Sequence, residues 1–433
     1  MDWDLDVART FTVGIRFPCP YSLINSDCSL VVVRVGPDDK LHLTYCTNIH
    51  PGERWTEVAS TLKQQLPDLK AHLSPDAPFG VGLRLSNQAA ETLLESDRLS
   101  RFRDWLQSEA LYVFTLNGFP YGSFHGERVK DNVYAPDWRS DERVAYTRRL
   151  ARILASLVPE GLTGSISTSP LSYKPWLDTE AREAAFRTGS HHLVKVTETL
   201  SEIEAETGTH LHVDLEPEPD CLIENTEESV AFFQEWLWPV GGARLADQLN
   251  VSQDEAVSLL RRHVQLCYDT CHFAVEYEEP EPAFERFFAA DIPVGKIQLS
   301  AALRTRLSDD RSTLANRLRP FAEDTYLHQV VERQSDESLN RYRDLPDALP
   351  HLAQTDAEEW RIHYHVPIYT NAYEGLHSTR GDIAQTLTLL SEDPFCPHLE
   401  IETYTWDVLP PGLKDDLPTS LQREYEWILS NLD

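Results

Sequence analysis

Asp269 and His272 stand three residues apart in the stretch CYDTCHFAVEYEE (267–279), directly after a short apolar run. A D-x-x-H step brings a carboxylate and an imidazole toward one point, a mixture that suits a hard or borderline divalent cation. An ordinary polar loop would carry the same letters, so the step alone decides nothing. Residues of the same chemistry end other β-like runs. HVDLEPEPDC places Glu216 at a strand tip with Glu218 and Asp220 behind it, and KIQLS carries Gln298. LEIETYTW carries Glu400 and Glu402, which alternation puts on one side of a strand, so either could face inward. His363 and His365 share a side in RIHYHVP in the same way, as a ligand pair or as two residues of an in-register strand. A lone acid at a strand end is usually solvated or salt-bridged. Acids and imidazoles at several strand ends together favour one shared cation.

Such a site needs elements that bring those ends to one place. Eight β-like runs alternate with amphipathic stretches: 41–49, 79–85, 111–117, 164–170, 210–216, 265–270, 294–300 and 398–403. Residues 55–73 and 143–158 have helical periodicity, and Ser140 stands where the second helix needs a cap. Ser252 opens SQDE, a capping-box tetrad. Strand then helix, repeated about eight times, predicts an α/β fold of parallel strands joined by crossovers, either a closed barrel or an open doubly wound sheet. No G-x-G-x-x-G follows any run, which disfavours a dinucleotide fold. In a closed barrel the carboxyl ends of the strands converge on one mouth.

Two segments fall outside the repeat. Residues 1–40 form an N-terminal extension with a possible strand at 29–36, ahead of a single domain over 41–433. Residues 302–360 are charge-rich and helix-like, a helical insertion of the length expected for a cap or lid. A ninth β-like run, WRIHYHVPIY, follows it.

The net charge is −31, with 8 Lys against 31 Arg. Such a surface repels phosphate backbones and anionic lipids, which argues against nucleic acid and membrane partners. No run approaches the roughly 20 apolar residues of a membrane span. The acidic N-terminus lacks a secretory pattern, and seven cysteines without a C-x-x-C pair do not form a disulfide framework. These features predict a cytoplasmic protein with free thiols. Its partner is expected to be a small-molecule metabolite; nothing in the sequence speaks to oligomeric state.

Other polar residues follow the strands toward the same mouth. Asn48 and His50 follow the first, Arg84 lies in the second, Asn117 ends the third and Lys174 follows the fourth. The Gly- and aromatic-rich segment GFPYGSFHGERVK adds His125 and Lys130. These seven are candidate substrate contacts. Among them Lys130, Lys174 and Arg84 could hold a phosphate or carboxylate, or simply pair with the abundant acids.

The order of a strand-five Glu, a strand-six D-x-x-H and a strand-eight Glu resembles the xylose isomerase-like TIM barrels. More closely, HLTYCTNIHPGE (42–53), YVFTLNGFPYGSFHGERVKDNVYAPDW (112–138) and SISTSPLSYKPW (165–176) resemble the EboE family of metabolite traffic proteins, over roughly residues 41 to 410. The resemblance implies a (β/α)8 TIM barrel with a divalent metal ion (Mn, Zn, Fe or Mg). It implies Glu216, Asp269 and Glu402 as ligands, with His272 in or beside the coordination sphere. Sugar epimerases carry a His on strand seven, where this chain has Gln298. The amide oxygen of Gln298, or a nitrogen of His363 or His365, would have to replace it. The activity implied is isomerisation or epimerisation of a small polyol or sugar-like metabolite, with Glu216 and Glu402 as the proton-transferring pair. The alternative is a non-catalytic carrier that hands over a biosynthetic precursor.

Overall fold

The computed structural model describes residues 34–35, 40–126, 128–307 and 310–432. Eight strands run parallel: β1 (Leu41–Tyr45), β2 (Phe79–Arg84), β3 (Leu111–Asn117), β4 (Gly164–Thr168), β5 (Leu211–Leu215), β6 (Val264–Asp269), β7 (Val294–Leu299) and β8 (His398–Ile401). They pair in the order β2-β3-β4-β5-β6-β7-β8-β1. All eight lie within the runs expected from the sequence or one residue outside them. Every residue of every strand is buried, as it must be when side chains fill a barrel on one face and meet helices on the other.

The seam between β1 and β2 closes by other means than a full ladder. Cys46 bridges Gly82, while Thr44 Oγ1 accepts from Gly82 N at 2.7 Å and donates to Gly80 O at 2.9 Å. A hydroxyl thus stands in for missing backbone partners, and the sheet becomes a nearly closed (β/α)8 barrel. Gly82 is required here: a Cβ would lie 2.0 Å from Glu400 Oε1 and 2.7 Å from Tyr45 O.

Helices cover the outside. Trp55–Leu73 follows β1, and Asp141–Leu157 begins at Ser140, whose side chain accepts from Glu142 N. Gln253–His263 begins at the Ser252 capping box. Of the N-terminal extension, the described pair Arg34–Val35 runs antiparallel to β1; the rest of the expected strand at 29–36 lies outside the described residues.

The insertion differs from its expectation. It is a six-stranded, mainly antiparallel-paired sheet spanning 301–378, with only short helices such as Arg311–Leu318 and Leu345–Ala348. Its strand order is Leu339–Tyr342, Val330–Arg333, Glu359–Val366, Ala301–Arg306, Leu376–Ser378 and Ala372–Tyr373. The helical reading failed because Pro320 ends the first helical stretch, and QSDES turns the chain between VVER and LNRY to form a hairpin. The ninth run is the central strand of this sheet. Opposite Ala301–Leu303 its register shifts between Ile362 and Val366, so His363, Tyr364 and His365 occupy a bulge. Bulges re-aim side chains out of strict alternation.

Candidate metal centre

The local sequence explains how each acid reaches the mouth. In Glu216-Pro217-Glu218-Pro219 each acid precedes a proline, which disfavours helix and keeps the chain extended beyond β5. Glu216 N still donates to Thr168 O at 3.0 Å, extending the β4–β5 ladder. Asp269 ends β6 and caps the helix Thr270–Val275, its Oδ1 accepting from Cys271 N at 2.8 Å and His272 N at 3.1 Å. That cap is the reason for the D-x-x-H spacing: the first helical turn carries His272 back over its own N-cap. Ser300 Oγ donates to the same Oδ1 at 2.5 Å. Glu402 follows β8, with its N–H on Leu299 O at 3.1 Å.

Carboxylate oxygens of Glu216, Asp269 and Glu402 lie within 4.8 Å of one another, all three buried. A second trio under the same limit joins Asp269 to His272 and His365, and a third joins Glu218 to His272 and His363. Among the buried atoms without a protein partner are Glu216 Oε2, Asp269 Oδ2 and His365 Nε2. Burying such groups unpaired is costly, and their convergence fits a bound cation. Glu402 Oε1 is held by Asn48 Nδ2 and Asn117 Nδ2, each at 2.8 Å.

Electrostatics agree. Burial pushes the Glu216 and Glu402 carboxyls well above the ordinary carboxylate range, helped at Glu216 by Glu402 and Asp269 and at Glu402 by Asp269 and Glu400. Burial also raises Glu218, to about 8, against the pull of its hydrogen bond from Tyr134. Asp269 is held below its usual value despite burial, by His272, His365 and the Ser300 hydroxyl. The three imidazoles go the other way: burial lowers His272, His363 and His365, the last to about 4. Neutral imidazoles beside carboxyls that gain from positive charge are suited to a metal ion.

Above these residues lies a cavity of about 50 Å³, lined among others by Phe119, Tyr134, Tyr326, Leu327 and Tyr404. That is room for a few waters around an ion, since one needs roughly 10–15 Å³. The insertion covers this mouth. Val129 N and Lys130 N both donate to Thr325 O at 2.9 Å, and Tyr326 OH donates to Phe124 O at 3.0 Å.

Several expected contacts are spent elsewhere. Arg84 does not face the cavity: its guanidinium pairs with Glu53 at 3.0 Å and donates to Gly122 O. Lys174 is likewise committed, to Glu224 at 2.7 Å and Glu228 at 2.6 Å. Lys130 lines the cavity, yet its ammonium is held by Asp344 at 2.7 Å and Glu323 O at 2.9 Å, so it fastens the insertion instead of offering an anion site. In a chain with this acid excess, buried cations find partners first. His50 Nε2 meets Tyr45 OH at 2.9 Å away from the cavity, and His125 bridges Asn48 O and Tyr326 OH. Asn48 and Asn117 line the cavity but spend their amide hydrogens on Glu402. Gln298 pairs in register with Asp269, and its Oε1 accepts from Cys267 Sγ at 3.0 Å. The nitrogen expected from strand seven has a substitute in His365, brought in by the inserted sheet. Glu400 is the inner acid of its strand and pairs with Lys296 at 2.6 Å. Sequence reasoning missed the part of Glu218, although its E-P-E-P setting was the available signal, and missed Gln329 and Ser300, which orient the ligand set.

No protein-family model matches this chain, and no curated protein matches it. Among solved structures it is similar to a zinc-bound IolI protein, at 12% identity over 91% of this chain and 99% of that one, with TM-score 0.44. It is also similar to the probable 3-DHS dehydratase AsbF of Bacillus anthracis, involved in petrobactin synthesis (11%, 89% and 98%, 0.42). A third is a xylose isomerase domain-containing protein of Salmonella typhimurium (12%, 90% and 98%, 0.41). These neighbours are xylose isomerase-like TIM barrel proteins. Among the described residues no helix is long and apolar enough to cross a membrane.

Proposed function

We propose that this barrel is a metal-dependent isomerase or epimerase acting on a small polyol or sugar-like metabolite. The observation that carries the reading is the convergence of Glu216, Asp269 and Glu402 from three strand ends, with Glu216 Oε2 and Asp269 Oδ2 lacking any protein partner. Those three, with His365, would hold the ion. When bound, a divalent ion supplies Lewis-acid polarisation of a carbonyl and lowers the pKa of the neighbouring C–H. The chain's own residues then do the proton work. Glu216 would take a proton from carbon through the carboxylate oxygen not committed to the ion, and Glu402, fixed by two Asn amides, would return one as its counterpart. Phe119, Tyr134, Tyr326 and Tyr404 form an aromatic wall beside these groups.

The motifs at 42–53, 112–138 and 165–176 support a place beside the EboE metabolite traffic proteins. The enclosure of the cavity by the insertion favours a second reading, a carrier that shields a reactive precursor without transforming it. One experiment separates them. Elemental analysis and a screen of ketoses and polyols are run on the wild type and on the Glu216→Gln/Glu402→Gln double variant. Bound metal and turnover, both lost in the variant, support the enzyme. Metal or ligand binding without turnover of any substrate supports the carrier. Absence of bound metal after incubation with Mn²⁺, Zn²⁺, Fe²⁺ and Mg²⁺ rejects the metal-dependent reading.

A further inference from the structure

Three buried imidazoles share one arrangement. His272 Nδ1 meets Pro217 O at 2.8 Å, His363 Nδ1 meets Gln329 Oε1 at 2.8 Å and His365 Nδ1 meets Glu402 O at 2.7 Å. Each acceptor is a carbonyl oxygen with no proton to give, so each Nδ1 must carry the hydrogen. The amide of Gln329 is oriented by its own Nε2, which donates to Pro219 O at 3.0 Å and Tyr134 OH at 3.2 Å. Every Nε2 is therefore left as a lone pair.

Two of those lone pairs face each other, with His272 Nε2 only 3.1 Å from His363 Nε2. Neither can donate to the other, and without a positive centre that approach is repulsive. Two nitrogens bound tetrahedrally to one zinc-sized ion at roughly 2.0–2.1 Å stand about 3.4 Å apart, close to the spacing seen here. A carboxylate oxygen of Glu218 lies within 4.8 Å of a nitrogen of each ring; its Oε1 accepts from Tyr134 OH and stands 3.6 Å from His363 Nδ1, which leaves Oε2 as the oxygen to turn toward an ion.

We propose that His272, His363 and Glu218 form a second cation position, next to the carboxylate position of Glu216, Asp269 and Glu402. The inference rests on the metal-centre reading above and deepens it. Its donors are mostly imidazole, which suits Zn²⁺ or Co²⁺, whereas the carboxylate-rich position suits a harder ion. His363 comes from the bulge of the inserted sheet, so a cation here ties that sheet to the barrel. Both positions border the same cavity, where a bound metabolite would meet two positive centres.

The test is stoichiometry. Full-length protein is stripped with chelator, titrated calorimetrically with Zn²⁺ and with Co²⁺, and its metal content measured after gel filtration. Two ions per chain are expected. His363→Gln and Glu218→Gln should each bind one, and the Co²⁺ absorption of the position they disrupt should disappear. Glu216→Gln/Glu402→Gln should also bind one and keep that absorption. One ion per chain in the wild type, lost only in the carboxylate variant, overturns the second position and leaves the first. No ion at all overturns both. Two ions retained in folded His363→Gln and Glu218→Gln overturn the residue assignment. If one of these two variants fails to fold, as judged by circular dichroism, the other carries the test.

Discussion

Glu400 and Glu402 are two residues apart and both buried, but the molecule treats them differently. Glu400 points into the barrel, where Lys296 Nζ stands 2.6 Å from its Oε2 and a glycine at position 82 makes room for it. Glu402 reaches the mouth, where Asp269 and Glu216 join it. Among the described residues no Lys or Arg forms an ion pair with any of those three. A third acid, Glu424, follows another course. It accepts from Thr403 Oγ1 at 2.7 Å and Ile368 N at 3.3 Å, and burial pushes its carboxyl up to about 8. One acid is thus neutralised by a chain cation and one by its own proton. In the function proposed above, the group at the mouth takes its counter-charge from a bound cation. Where a protein buries acids without a partner, function is the better explanation than stability.

The comparison is most exposed at Lys296. Lys296→Met leaves Glu400 charged and alone, and should cost about 3–5 kcal/mol in urea unfolding. Adding Glu400→Gln should recover most of it. A loss under about 1 kcal/mol would mean the pair is not the counter-charge argued here. At the mouth the opposite is expected. The metal-free Glu216→Gln/Glu402→Gln protein should be at least as stable as the metal-free wild type, because substitution relieves crowded acids. A divalent ion at about 100 times its dissociation constant should stabilise the wild type by ~2.7 kcal/mol in a thermal melt and leave the variant nearly unmoved.

Glu424 separates the third case by pH. Its folded carboxyl is raised, so the folded state holds a proton that the unfolded state releases. Its contribution is complete below the ordinary carboxylate value and is lost as pH rises toward about 8. Relative to Glu424→Gln, the wild type should lose up to ~1.4 kcal/mol per pH unit across that window. Parallel stability profiles for the two proteins would count against a buried neutral carboxyl. The smallest effect is expected at the latch. Lys130→Met should cost ~1 kcal/mol of global stability, but should speed amide exchange around Tyr326 and Leu327, which close the cavity. Unchanged exchange there would place the latch elsewhere.

Much of the barrel was legible because its signals are local. Short apolar runs between amphipathic stretches, a Ser at each of two caps and an acid at three of the strand tips depend on neighbours in sequence. The convergence of Glu216, Asp269, His272 and Glu402 followed from one rule, that parallel strands in a barrel end at one mouth. The insertion was misread because charge and helical propensity dominate its composition, whereas its hairpins are stabilised by pairing to strands tens of residues away. For Arg84, Lys130 and Lys174 the sequence left anion binding and ion pairing both open for a similar reason: which of many acids a cation meets is a question of distance in space.

Residue order alone therefore determined the eight-fold alternation, the chemistry at the strand ends and the acid excess. Tertiary structure decided which acid of a neighbouring pair faces the mouth. It decided too that Gln298 turns its oxygen to Cys267, and that a bulge in a distant sheet brings His363 within 3.1 Å of His272. Alternation and capping act over a few residues and are written in the sequence. The direction of a lone pair depends on what packs around the ring, and that exists only once the chain has folded.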